Sequence, residues 1–244
     1  MTQERPLDTY KEEAIAGRVR KQLTVFPLKF KELGEGGELR SVLKTHKTLK
    51  GPKVHQAPED FTEQYLIEPV LHALRYINPI SEQYEGEGSH FVRRPTTFDK
   101  VENKQPDYKL ETDDPESVCI LEAKAANEEQ FDHSKKRATE DIRKYIEVNT
   151  FAKYIESREK RYLIAIGTDG LRWTLWAKQV RTGETLEEIT MVDLSDVVEV
   201  IARKENVIEG GRTVENTDIR RWLTDEFVPA FGAPFLVEHV QDHF

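Results

Sequence analysis

Two short stretches decide the fold that this sequence predicts: Gln105-Pro-Asp-Tyr-Lys109 and, after a turn, Ile120-Leu-Glu-Ala-Lys124. The second stretch ends an apolar run, Val118 to Lys124, whose composition favours a β-strand. Thr112-Asp-Asp-Pro115, between the two stretches, is typical of a turn. The sequence therefore predicts a strand that carries two charged residues, preceded at hairpin distance by Pro-Asp.

The two charges on the predicted strand share one of its faces. Side chains alternate between the faces of a strand, so Glu122 and Lys124 point to the same side. The other face carries the small and apolar side chains of Cys119, Leu121 and Ala123. If the two stretches pair as a hairpin, Asp107 approaches Glu122.

Two carboxylates and an amine in this arrangement suit the hydrolysis of a phosphodiester. Mg²⁺ prefers hard oxygen ligands, keeps several waters and usually takes one or two carboxylates, here Asp107 and Glu122. The ion polarises a phosphate oxygen and lowers the pKa of a bound water. Lys124 can orient or deprotonate the attacking water, or stabilise the charge of the transition state.

The same residues admit simpler interpretations. Glu-x-Lys alone carries little information in a chain of which 33% is charged. An edge strand with a solvent-facing Glu122–Lys124 pair would show the same pattern. The motif would be accidental if Asp107 and Glu122 lay far apart.

The rest of the chain predicts a mixed α/β layer with a central sheet flanked by helices. Pro58 opens a helix with acidic residues in its first turn, and Pro69 predicts a kink or break within it. Strands are expected at 161–167, 171–177 and 186–191, the first two joined by the turn Thr168-Asp-Gly170. Further helices are expected at 131–157, 193–204 and 216–231.

Together these motifs resemble the PD-(D/E)xK nuclease superfamily, most of all the nuclease domains of type I restriction subunits and of fused restriction-modification enzymes. The resemblance covers roughly residues 58 to 178 and implies a restriction-endonuclease-like core. Pro106-Asp107 and Glu122-Ala-Lys124 fall on the family's two motifs, and Thr168 to Trp173 fits its hairpin turn. By its distance to Pro69, Glu59 matches the first acidic residue.

The resemblance implies a site of four residues, with Glu59, Asp107 and Glu122 as metal ligands and Lys124 as the fourth catalytic residue. The implied cofactor is Mg²⁺, and Mn²⁺ is expected to substitute for it. Glu63, one helical turn after Glu59, is the reserve candidate.

One departure from the family lies on the next predicted helix. Many relatives carry Gln four residues before a Tyr, whereas here Asp141 stands four residues before Tyr145. Contacts to DNA from this helix would then come from basic residues instead: Arg143, Lys144, Lys135 and Lys136. The simpler interpretation of these residues is a solvated helix face.

The charge of -9 is unevenly distributed. Lys11 to Gln56 carries a net +6, residues 1–10 carry -1, and the remainder from Ala57 carries -14. The sequence therefore predicts a basic N-terminal appendage, 1–56, joined to a nuclease-like domain, 57–244. A basic arm could contact the DNA backbone without regard to sequence, although a solvated surface has the same composition.

These features favour a cytoplasmic DNA endonuclease of restriction or defence. No apolar run approaches the length of a membrane span, and a single cysteine, Cys119, allows no intrachain disulfide. The expected partners are DNA and either other restriction-modification subunits or a second copy of the chain. The alternative is a catalytically inactive module of the same fold that binds DNA or a partner protein.

Overall fold

A six-stranded sheet in the order β1-β2-β3-β4-β5-β6 lies at the centre of the computed structural model. The strands are β1 His90–Arg93, β2 Tyr108–Glu111, β3 Ser117–Ala123, β4 Tyr162–Thr168, β5 Arg172–Gln179 and β6 Glu187–Asp193. Neighbouring strands are antiparallel except β3 and β4, which run parallel. The mixed α/β layer that the sequence predicts is therefore present. The structure describes residues 5–77, 89–95, 105–128, 141–142, 160–182, 185–210 and 216–244.

Helices precede and follow the sheet along the chain. They are α1 Arg5–Gln22, α2 Val25–Leu33, α3 Gly36–Thr45, α4 Gly51–Val54, α5 Pro58–Thr62, α6 Glu68–Ala73, α7 Ser195–Lys204, α8 Asn216–Arg221, α9 Val228–Phe231 and α10 Leu236–His243. The helix predicted for 131–157 lies outside the described residues, apart from Asp141 and Ile142. Within the described part of the chain, none of the helices has the length and apolarity needed to cross a membrane.

Two helical segments contain a π-helical turn just before a proline. Glu63–Ile67 joins α5 to α6, and Trp222–Phe227 joins α8 to α9. Pro69 and Pro229 follow in the first turns of α6 and α9. A proline donates no backbone hydrogen bond and its ring crowds the preceding turn, so a wider turn accommodates it. The interruption expected at Pro69 takes this form, and the chain stays helical through it.

Apolar side chains cover both faces of β3. Cys119, Leu121 and Ala123 face a large core that also contains the buried residues of the flanking helices. Val118 and Ile120 face a smaller core with residues of β4 and β5 and with Ile142. Since the faces alternate, Glu122 and Lys124 continue the row of Val118 and Ile120.

The N-terminal helices pack into the larger core. Val19 of α1, Phe26 and Phe30 of α2 and Val42 of α3 are fully buried there, and Phe30 contacts Phe61 of α5 edge to face. The short helix α4 lies between α3 and α5 in the same N-terminal part of the chain. The division of the chain at residue 56 stays a prediction about domains, whereas the described packing joins both parts in one core.

Candidate active site

The strand that carries Glu122 lies in the middle of the sheet. β3 is hydrogen-bonded to β2 on one side and to β4 on the other. Every residue of β3 is buried, and Glu122 is 4% and Lys124 8% exposed. The interpretation of this pair as a solvent-facing pair on an edge strand is therefore wrong. Burying two charges is costly unless each is compensated, so their surroundings matter.

The register of β2 against β3 brings Asp107 to Glu122. Tyr108 is paired with Leu121, so the residue before Tyr108 stands opposite the residue after Leu121 in this antiparallel pair. The backbone N–H of Ala123 donates a hydrogen bond of 2.8 Å to Oδ2 of Asp107. The two carboxyl groups lie together, which excludes the interpretation that the motif is an accident of distant residues.

Lys124 is surrounded by acidic groups. Its Nζ lies 2.5 Å from Oε1 of Glu122 and 3.5 Å from Oδ2 of Asp141. Its backbone N–H donates to the carbonyl of Thr168, which fixes the residue to the end of β4. Asp141, which stands where many members of the resembling family carry Gln, therefore contributes a carboxylate to the same site.

The helix α5 and the following π turn supply two glutamates with different surroundings. Glu59 is half-buried and interacts electrostatically with both Lys124 and Asp107. Glu63, by contrast, accepts a hydrogen bond of 2.6 Å from the hydroxyl of Tyr108 and lies 2.8 Å from the guanidinium of Arg93. The structure thus places Glu59 next to the predicted site and pairs Glu63 with an arginine.

We call the two groups the Lys124 cluster and the Arg93 cluster. The Lys124 cluster comprises Lys124 with Glu59, Asp107, Glu122 and Asp141. The Arg93 cluster comprises Arg93 with Asp60, Glu63, Glu68 and Tyr108, linked by contacts of 2.6 to 3.6 Å.

Glu59, Asp107 and Glu122 of the Lys124 cluster hold their protons more strongly than usual. Burial, together with nearby carboxylates, raises the pKa of Glu59 to about 7 although Lys124 opposes the shift. Burial also raises the pKa of Asp107 and, well above its usual range, that of Glu122. For Lys124, burial disfavours the charge, but Glu122, Asp107 and Glu59 outweigh burial and raise its pKa. The positive charge of Lys124 is therefore too small to keep all three of these carboxyl groups ionised.

One carboxylate oxygen in the site has no donor among the residues that the structure describes. Oε2 of Glu122 is buried and accepts no hydrogen bond from any of them. Carboxylate oxygens are the ligands that Mg²⁺ prefers, and an added cation would satisfy this atom and favour the ionised form of its neighbours. Across the described residues, however, no group of three or more His, Cys, Asp or Glu side chains already has the arrangement of a metal site. The residues fit a divalent cation by their chemistry and burial, with Lys124 bonded to Glu122 in the present geometry.

Thr62 is a residue of this site that the sequence analysis missed. It is fully buried in α5, one turn after Glu59, and its hydroxyl accepts a hydrogen bond of 3.0 Å from the backbone N–H of Ala126. The same hydroxyl donates to the carbonyl of Pro58. Thr62 therefore connects the helix that carries Glu59 to the segment that follows Lys124. A threonine at helical spacing from a candidate ligand was the only available signal.

The turn between β4 and β5 is built as the motif Thr168-Asp-Gly-Leu-Arg-Trp173 suggests. Oδ1 of Asp169 accepts hydrogen bonds from the backbone N–H groups of Leu171 and Arg172, at 3.0 and 2.7 Å. The indole N–H of Trp173 donates to the carbonyl of Gly170, which has a φ of +78°. Trp173 itself packs against Phe227 in the core, so it is a structural residue.

The structure describes two basic residues beside α5 and not the four that were predicted to contact DNA. Arg143, Lys144, Lys135 and Lys136 lie outside the described residues, as does Tyr145. The guanidinium of Arg93 contacts three carboxylates. Arg94 is 68% exposed.

Comparisons with known proteins give no family for this chain. No protein-family model, no curated protein and no solved structure matches it. The residues of the site are therefore the basis for inferring a function for this chain.

Proposed function

We propose that this chain is a Mg²⁺-dependent endodeoxyribonuclease with a restriction-endonuclease-like core. It would act in restriction or defence, alone or as the nuclease part of a larger system. The observation that carries the proposal is the meeting of Glu59, Asp107 and Glu122 around Lys124 at the buried centre of the sheet. These residues come from three separate parts of the chain, and their chemistry matches hydrolysis of a phosphodiester.

Each residue would have a distinct part in the reaction. Glu59, Asp107 and Glu122 would hold Mg²⁺ or Mn²⁺, which supplies Lewis-acid activation of a phosphate and of water when bound. Lys124 has a raised pKa, so it remains protonated at neutral pH. A protonated lysine cannot remove a proton from water. Lys124 would therefore stabilise the negative charge that develops on the phosphate. Asp141, at 3.5 Å, helps to keep the amine charged and in place.

The direct test is cleavage of supercoiled plasmid and of single-stranded DNA with Mg²⁺, Mn²⁺ or EDTA. Wild-type protein should cleave DNA with either metal and not with EDTA. Asp107→Asn, Glu122→Gln and Lys124→Met should each lower the rate on the order of 10²-fold or more, because each removes a charge from the reacting centre. Melting temperatures of all variants would show that the fold is retained.

Two control variants remove the same kinds of charge at the opposite end of the central strands. Glu116→Gln lies just before β3, where Glu116 pairs with Arg181 at 3.3 Å, and Lys160→Met lies just before β4. Both should cleave DNA like the wild type. Full activity of Asp107→Asn, Glu122→Gln or Lys124→Met would refute the site. Absence of cleavage and of Mg²⁺ and Mn²⁺ binding by calorimetry would instead favour an inactive module that binds DNA or a protein.

A further inference from the structure

The loop between α3 and α4 is attached to the segment that follows Lys124. The backbone N–H of Leu49 donates a hydrogen bond of 3.1 Å to the carbonyl of Ala126. The side-chain amide of Asn127 donates to the carbonyls of Val42 and Lys47. These contacts join residues that are about eighty positions apart in the chain.

The attachment is built from buried groups. Asn127 is fully buried and has a φ of +63°, a left-handed conformation that Asn tolerates better than most residues. Ala126, which accepts the bond from Leu49, also donates its N–H to Thr62. The short segment 125–127 therefore holds the loop on one side and the helix of Glu59 on the other. The loop is fixed relative to the Lys124 cluster.

The loop carries two lysines, Lys47 and Lys50, whose side chains are exposed. Neither side chain makes an ion pair or a hydrogen bond within the part of the chain that the structure describes. Other lysines of the basic N-terminal segment are engaged. Lys29 pairs with Glu32 at 2.8 Å and Lys53 with Glu35 at 3.7 Å, while Lys31 and Lys44 donate to backbone carbonyls of residues 205 to 210.

We infer that Lys47 and Lys50 form the surface on which a DNA backbone binds beside the candidate active site. This inference rests on the proposed nuclease function. It restricts the DNA contacts expected of the basic N-terminal segment to the loop between α3 and α4. The loop is held by the residues that follow Lys124, so a phosphate bound there would be fixed relative to the scissile position. Lysine ammonium groups bind phosphates as point charges, so these contacts would not depend on base sequence.

The test measures DNA binding separately from cleavage. The full-length Glu122→Gln protein is titrated into a short fluorescein-labelled duplex in EDTA, and anisotropy is followed over a range of KCl concentrations. Lys47→Ala/Lys50→Ala in this background should weaken binding on the order of tenfold and lower the slope of log affinity against log salt by about 2. Lys29→Ala/Lys53→Ala removes the same charge from the same segment and should leave affinity and slope unchanged.

A third variant separates charge from position. Asn127→Gly keeps a residue that tolerates the left-handed backbone but removes the amide that holds the loop. Asn127→Gly should weaken DNA binding although it leaves the net charge unchanged. The affinity of the control variant Lys29→Ala/Lys53→Ala for the same duplex should stay at the reference level. Melting temperatures identify any variant that fails to fold, and the lysine pair tests the surface by itself in that case.

The outcomes divide cleanly between the two proposals. Equal affinity and salt slope for the two double variants would overturn the inference even if the wild type cleaves DNA. Absence of duplex binding by the reference protein at the lowest salt would overturn it as well. Binding that requires Lys47 and Lys50 in a chain that cleaves nothing would support the binding surface and remove the proposed hydrolysis.

Discussion

The Lys124 cluster and the Arg93 cluster share the helix α5 and the start of β2, and they differ in how their charges are satisfied. Glu63, in the Arg93 cluster, accepts a hydrogen bond from Tyr108 and forms an ion pair with Arg93. Glu122, in the Lys124 cluster, has one oxygen bonded to Lys124 and one buried oxygen to which no group in the described part of the chain donates. Burial raises the pKa of both glutamates, so burial alone does not distinguish them. Nε of Arg93 is also buried without a partner among the described residues, but that atom is a donor. The unpartnered carboxylate oxygen belongs to the Lys124 cluster, which we propose as the cation site.

Asp107 and Tyr108 are adjacent in the chain but belong to different clusters. Asp107 lies opposite Glu122, whereas Tyr108, the next residue, packs against Phe91 in the larger core and donates to Glu63. Alternation along an extended chain sends neighbours to opposite faces. The Pro-Asp-Tyr sequence therefore supplies the candidate site with the carboxylate of Asp107 and the Arg93 cluster with the hydroxyl donor of Tyr108.

The difference between the two clusters is tested most directly by neutralising one glutamate in each of them. Glu122→Gln should raise the free energy of unfolding, since burial and neighbouring carboxylates disfavour the ionised form of Glu122 in the folded protein, while Asp107 and Asp141 still compensate Lys124. Glu63→Gln should raise it less, because the contacts from Tyr108 and Arg93 offset part of the cost of burying the Glu63 carboxylate. Chemical denaturation at pH 8 in EDTA measures both.

Glu116→Gln is the control for this pair, because Glu116 is exposed, and its effect should stay within about 0.5 kcal/mol. A gain of stability in Glu63→Gln as large as that in Glu122→Gln would show that the Lys124 cluster is as well satisfied as the Arg93 cluster.

A smaller effect is expected from the pH dependence of Glu59. Its pKa is raised from the usual 4.5 to about 7 in the folded protein, so the folded state binds a proton that the unfolded state has already released. The wild type should therefore lose stability relative to Glu59→Gln as pH rises from 4.5 to 7, with a constant difference above that range. Because Glu59 is partly exposed, the difference should reach only about 1 kcal/mol.

Denaturation curves of wild type and Glu59→Gln between those pH values, in EDTA, provide the measurement. A stability difference that does not change with pH would contradict the raised pKa.

The smallest effect should come from Glu68, at the periphery of the Arg93 cluster. Its carboxylate lies 3.6 Å from Arg93 and its side chain is 24% exposed. Partly exposed pairs of this length contribute little, so Glu68→Gln should change the free energy of unfolding by less than about 0.5 kcal/mol. A loss of more than about 1 kcal/mol would show that the arginine is held mainly by Glu68.

The sequence predicted those parts of the fold that depend on local patterns. The strand with Glu122 and Lys124, the approach of Asp107 and the turn at Gly170 all follow from alternation, hairpin spacing and turn residues. The expectation that Glu59 rather than Glu63 faces the site came from the family resemblance. In the structure, Arg93 and Tyr108 engage Glu63, whereas Glu59 interacts electrostatically with Lys124 and Asp107.

The parts that could not be predicted depend on contacts between distant residues. Asn127 bonds the carbonyl of Val42, 85 positions away, and Thr62 bonds Ala126, 64 positions away. Periodicity describes neither contact, since each depends on where α3 and α5 pack against the end of β3. The contacts of Arg93 could not be predicted for the same reason, because its carboxylate partners lie on α5, the π turn and α6.

Gly170 has a consequence for the spacing between helix and sheet. A Cβ at this position would lie 2.5 Å from Cδ2 of Leu66 and 3.2 Å from Cγ2 of Thr62. Only the hydrogen of a glycine lets the β4–β5 turn come this close to the helix that carries Glu59. A residue with no reactive group thus acts as a spacer of minimal thickness, and it sets how near one candidate ligand comes to the strand that bears the others.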